Sequence, residues 1–122
     1  VETIVRENTN MLIAYEVALD LIRALRPIVE QVKIHNHECA QQLHDAASNT
    51  VHNLGEGQRK RDGNKRLAYE RAHGEAREVL AALDVAAAWG WCIDDREARV
   101  KLDRLLALCR GLTHGPAKHR RA

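Results

Sequence analysis

Three groups of residues have the types and spacings that metal or nucleophile chemistry uses. Glu70-Arg71-Ala72-His73 sets a carboxylate and an imidazole one helical turn apart, the Glu-x-x-His pair of di-metal four-helix bundles. Those bundles need the pair twice, with further glutamates. Here it occurs once, beside Arg66 and Arg77, so a surface ion pair between Arg66 and Glu70 is the better account. His35, His37 and Cys39 alternate, and His44 and His52 share a helical face. The first two fall in an expected connection, and the spacing follows no zinc pattern. Cys39, Cys92 and Cys109 would each need a base and an oxyanion site to act as nucleophiles, and Cys109 lies on an apolar seam. The patterns GxxxxGK, GxSxG and HExxH are absent. The chain reads as non-enzymatic, with no catalytic residue, no metal ligand and no cofactor.

The remaining chemistry is charge. From Gln58 to Arg71 six bases, Arg59, Lys60, Arg61, Lys65, Arg66 and Arg71, stand against two acids, Asp62 and Glu70. A second cluster, Lys118, His119, Arg120 and Arg121, ends the chain. The formal net charge is only +2, so what matters is placement. Arg and Lys neutralise phosphates and release counterions, which gives salt-dependent binding with little sequence preference. RNA or DNA is the partner this implies, and the alternative is a protein-binding scaffold whose basic turn docks on an acidic surface. Tyr69 has the position to stack on a base, but it also lies on an apolar stripe, which favours core packing.

These residues need elements to hold them. The chain of 122 residues is long enough for one domain, and at 45% apolar and 30% charged it is globular. Ala and Leu dominate, Phe is absent, and the balance favours an all-α fold. The cysteines are odd in number and widely spaced. No apolar run approaches the ~20 residues that span a bilayer. The expectation is a reduced, cytoplasmic protein with no membrane partner.

Residues 1–10 read as an N-terminal extension, 11–113 as a four-helix bundle and 114–122 as a basic flexible tail. Helix one is expected over 11–33, capped by Thr9 or Asn10. Its stripe is Tyr15, Ala18, Leu19, Ile22, Leu25, Val29 and Val32, with Leu12, Ile13, Leu21 and Ile28 beside it, and Pro27 kinks or divides it. After a connection over 34–37, helix two runs from about Glu38 to Gly55, buries Ala40, Leu43, Ala47, Thr50 and Leu54, and stops at Gly57 in a left-handed conformation. Its polar residues, among them His44, Ser48, Asn49, His52 and Asn53, are expected to bond inside the bundle or across a subunit contact. Asn64 caps helix three, whose stripe runs from Tyr69 through Ala72, Ala76, Val79, Leu80, Leu83 and Ala87 to a glycine cap at Gly90. Asp94 or Asp95 opens helix four, with Glu97 completing a capping box and Ala98, Leu102, Leu105, Cys109 and Leu112 as its seam. Short connections favour an antiparallel up-down-up-down order. The second half of helix three is apolar nearly all round, so Ala81, Val85 and Ala88 are read as an oligomer interface.

Asn53-Leu54-Gly55-Glu56-Gly57, the basic turn, Ala72-His73-Gly74-Glu75-Ala76-Arg77-Glu78 and Ala87-Ala88-Trp89-Gly90-Trp91 together resemble a bacterial family. It is the four-helix-bundle family named for reading frames inside 23S ribosomal RNA intervening sequences. Its pattern is N-[IL]-A-E-G, a basic segment, A-x-G-S-x-x-E, and a helix ending near L-G-[YW]. Gly55 stands where that pattern has alanine and Glu75 where it has serine; Gly55 is expected to loosen the end of helix two. The resemblance implies a homo-oligomeric, pentameric barrel of bundles without known enzymatic activity. A related branch, the accessory variability proteins of diversity-generating retroelements, partners with a reverse transcriptase and its template RNA through a basic surface. It strengthens the nucleic-acid reading of the charge clusters, in which Arg59, Lys60, Arg61, Lys65, Arg66 and Arg71 contact phosphates, helped by Lys118, Arg120 and Arg121 of the tail.

Overall fold

A computed structural model describes residues 2–114. They form α1 (Glu2–His35), α2 (His37–Arg59), α3 (Asp62–Ala88) and α4 (Arg96–His114), with no strand among the described residues. Each helix packs on its sequence neighbours, and α1 closes the ring against α4. Named contacts give the directions. Tyr15, early in α1, lies against Gly55, late in α2. Cys39, early in α2, sets its Sγ 3.9 Å from the Ala82 carbonyl, late in α3. Asp84, late in α3, pairs with Arg99, early in α4. Consecutive helices are antiparallel, and the fold is an all-α four-helix bundle.

α1 starts earlier than its residue types suggest, so Thr9 and Asn10 lie inside the helix and do not cap it. Pro27 does not divide it either. A proline inside a helix costs about 3 kcal/mol. Leu25, Ile28 and Val32 are buried around it, and at about 1.5–3 kcal/mol each they outweigh that cost. The buried face is rotated from the expected stripe. Leu21 and Ile28 lie at its centre, while Tyr15, Ile22 and Val29 are half-buried at its flank. Both sets have helical spacing, and contact with both α2 and α4 requires a wide stripe.

Asn36 alone separates α1 from α2. Its side chain accepts the Cys39 backbone N–H at 2.7 Å and satisfies an orphan donor. The expected face of α2 is buried, and the Thr50 hydroxyl donates to the Ala46 carbonyl at 2.8 Å. The polar residues of α2 mostly serve their own helix: Ser48 donates to His44 O, and Asn53 to Asn49 O. Asn49 is an exception, hydrogen-bonding to Glu75 on α3.

α3 ends as its glycine predicts. Gly90 has φ +74°, its N–H donates to Ala87 O, and the Trp91 N–H donates to Ala86 O. These paired bonds are a Schellman motif, and Trp91 then stacks on His35 with ring centroids 5.2 Å apart. Asp94 takes the Arg96 backbone N–H and guanidinium, while the Asp95 carbonyl accepts from Arg99 N–H. Glu97 pairs forward with Lys101 and so completes no capping box. Ala98, Leu102, Leu105 and Cys109 are buried, and burial pushes the Cys109 thiol up to about 12, which leaves it unreactive. Cys92 is exposed, at φ +58°.

Candidate nucleic-acid interface

The basic hairpin is tighter than its glycines suggest. Only Lys60 and Arg61 lie between α2 and α3, because α2 continues through Gly55 and Gly57 to Arg59. Gly57 is therefore no left-handed stop. It is a buried helical residue, and a Cβ there would stand 2.8 Å from Tyr69 Cδ1 and closer still to Cε1. The glycine exists to admit an aromatic ring. Tyr69 is buried against it, only 4% exposed, and offers no free face to a base. Gly55 does not loosen the helix, and a Cβ there would meet Tyr15 at an ordinary 3.7 Å.

Asn64 is likewise not the cap of α3. Arg61 holds the cap position without a side-chain hydrogen bond, and Asp62 turns the chain at φ +51°. Asn64 N–H and Lys65 N–H both return to the Arg61 carbonyl. The first turn of α3 thus keeps backbone donors that no side chain caps, at the positive end of a 27-residue helix.

The six bases divide by what they touch. Arg59 bonds Glu56 at 2.7 Å and Lys60 approaches the same carboxylate at 3.7 Å. The Arg59 hydrogen bond, with the charges of Arg59 and Lys60, holds the Glu56 carboxyl below the usual carboxylate range. Arg66 bonds Glu70 at 3.3 Å, and the Lys65 ammonium sits 5.9 Å from the Tyr69 ring centroid. Arg61 and Arg71 are exposed, with no ion pair from their side chains among the described residues. Sequence reasoning missed the Glu56 clamp, although a glutamate three and four residues before Arg59 and Lys60 is a readable helix pattern. The tail residues Lys118, Arg120 and Arg121 lie outside the described residues.

The other candidates do not converge. Glu70 pairs with Arg66, as its spacing suggested, and His35 is stacked on Trp91. Among the described residues no three His, Cys, Asp or Glu side chains form a metal-holding group. No described helix is long and apolar enough to cross a membrane. Ala81, Val85 and Ala88 all lie on the outer surface of α3, with Val85 44% exposed and the neighbouring Trp89 72% exposed.

No family model, no curated protein and no solved structure matches this chain.

Proposed function

We propose that this chain is a non-enzymatic, oligomeric accessory protein that binds RNA or DNA through the α2–α3 hairpin. One observation carries the reading: Arg61 stands at an uncapped helix N-terminus and Arg71 lies about 14 Å further along α3, and neither has a carboxylate partner among the described residues. Cations without internal partners are free for phosphate oxygens, and orphan backbone donors favour the same anions. Arg59, Lys60, Lys65 and Arg66 add contacts, as does the tail. The exposed Ala81, Val85 and Ala88 face supports self-association, which would multiply a modest local charge into a shared surface. The sequence resemblance supports the same reading and extends it to a pentamer working with a retroelement reverse transcriptase in the cytoplasm.

Titration of a fluorescent single-stranded RNA and a DNA duplex at low and moderate salt tests the binding. Both should bind, with affinity falling as salt rises. Replacing Arg59, Lys60, Arg61, Lys65 and Arg66 together should abolish binding while helicity and oligomer size persist. Unchanged binding by that variant would refute the site. If neither nucleic acid binds the wild type at low salt, the basic tip belongs to an acidic protein partner.

A further inference from the structure

The outer face of α3 changes character half-way along. Its second half presents Ala81, Val85 and Ala88, whereas its first half is edged by arginines. At about 100° per residue, Arg66 and Arg71 stand about 140° apart around the helix, and Arg77 returns to within about 20° of Arg66 three turns on. All three are exposed, and Arg71 and Arg77 have no ion-pair partner among the described residues. Between these edges lie Gly63, Leu67, Glu70 and Gly74, exposed as well. Glu70 bonds Arg66 at 3.3 Å, and Glu78 closes the far end of the face.

The middle of this face has no explanation inside the bundle. Leu67 is apolar and 43% exposed. Gly74 sits near the centre of a 27-residue helix, where glycine is a poor helix former, and nothing lies within 4 Å of the place a Cβ would take. The same open space surrounds Gly63. Glycines that no neighbour in the chain requires suit the close approach of something outside it. The face also projects. α3 packs on α2 and α4, so it is one corner of a ring of four helices. With axes about 8–10 Å apart, a corner helix stands roughly 6–7 Å beyond the line joining its neighbours. The major groove of B-form DNA is about 12 Å wide and about 8.5 Å deep, and it admits an α-helix.

We propose that the outer face of α3 over residues 63–77 seats in the major groove of a B-form DNA duplex. This rests on the nucleic-acid reading above and narrows its ligand to one class. Arg66 and Arg77, on one edge, meet phosphates of one strand, and Arg71, on the other edge, meets those of the second. Gly63 and Gly74 let the helix backbone approach the base edges between them. Leu67 supplies the apolar contact that a thymine methyl takes, and Glu70 is an acceptor for a cytosine amino group. The charge pattern selects a duplex, because cations on two edges of one helix answer two strands and not a single thread. It also selects DNA. The major groove of an A-form RNA duplex is deep and too narrow for side chains to read.

Fluorescence anisotropy at matched salt, with a DNA duplex, an RNA duplex and a single strand of equal length, tests the assignment. The DNA duplex should bind at least fivefold more tightly than either of the others. Arg77→Glu, outside the basic hairpin, should weaken DNA-duplex binding at least fivefold. Gly74→Leu should do the same while raising the midpoint of urea unfolding, since the new side chain meets nothing in the bundle and blocks only the groove. Circular dichroism verifies that both variants keep their helicity. If the RNA duplex or the single strand binds as tightly as the DNA duplex, the groove assignment is wrong while the hairpin reading stands. Variants at Arg77 and Gly74 that bind the DNA duplex like the wild type also overturn it. A wild type that binds none of the three at low salt overturns both readings at once.

Discussion

The two ends of the bundle solve the same problem in opposite ways. At one end α3 passes to α4 through seven residues, Trp89–Asp95, closed by a Schellman motif and the Trp91–His35 stack. Its charges are spent on structure. Asp94 holds Arg96, and Arg99 bridges Asp95 and Asp84 at 2.9 Å each. At the other end α2 passes to α3 through two residues, and the closure comes from the Gly57–Tyr69 contact beneath them. The turn needs no ion pair to form, so most of its cations remain on the surface. At one end ion pairs add to backbone capping and ring stacking, and at the other packing alone closes the turn. A charge that the fold does not require is the better candidate for function.

The sharpest way to break this comparison is at the packed glycine. A helical Gly→Ala change ordinarily stabilises by roughly 0.5–1 kcal/mol. Gly57→Ala should instead destabilise by about 1–3 kcal/mol, because the new methyl overlaps the Tyr69 ring, which has buried neighbours behind it. Gly55→Ala, two residues away with its Cβ site at 3.7 Å from Tyr15, should follow the ordinary rule and raise the midpoint of urea unfolding. Opposite signs at the two positions establish that packing closes the basic turn. Equal signs would return Gly57 to the role of a mere helix stop.

A smaller effect is expected at the structural charges. Arg99→Ala removes both inter-residue bridges of a side chain only 32% exposed, and should cost about 1 kcal/mol in stability. Nucleic-acid affinity should not change. A loss of binding in a folded Arg99→Ala protein would show that the two ends do not divide structure from function.

How far the sequence discloses this division depends on the range of each interaction. The helix faces follow from local periodicity: Leu43, Ala47 and Leu54 of α2, and Leu102, Leu105 and Cys109 of α4, are buried as their spacing requires. The Gly90 cap is local too. The rotation of α1 onto Leu21 and Ile28 was not legible, because two overlapping stripes satisfy the same period and only contact with both neighbours chooses between them. Gly57 misled for a similar reason. A glycine near the end of a helix reads as a terminator, and its true reason is a tyrosine twelve residues later on another helix. Of the basic cluster, composition revealed the cations but not which were already answered. That distinction needed Glu56, Glu70 and the geometry around them.

The finest test lies in that distinction. Glu56 occupies Arg59 and Lys60 with an internal carboxylate, so a phosphate must displace it before either base contributes fully. Exposed pairs of this kind are screened by solvent and contribute little. Glu56→Gln, which keeps the shape and removes the charge, should therefore strengthen RNA and DNA binding by no more than a few-fold. Arg61→Ala in the same assay should weaken it. The gain from Glu56→Gln should also depend on pH. The two cations depress the Glu56 pKa, so the wild-type carboxylate stays charged through the usual carboxylate range and competes with phosphate there. As pH falls through the lowered value, the wild type loses that charge and its affinity should rise toward that of Glu56→Gln. The contribution of the clamp to stability is lost over the same window, being present only where the carboxylate is ionised. A Glu56→Gln protein that binds no better than wild type at neutral pH would mean that Arg59 and Lys60 take no part in binding, and that the interface is confined to the bases Glu56 does not hold.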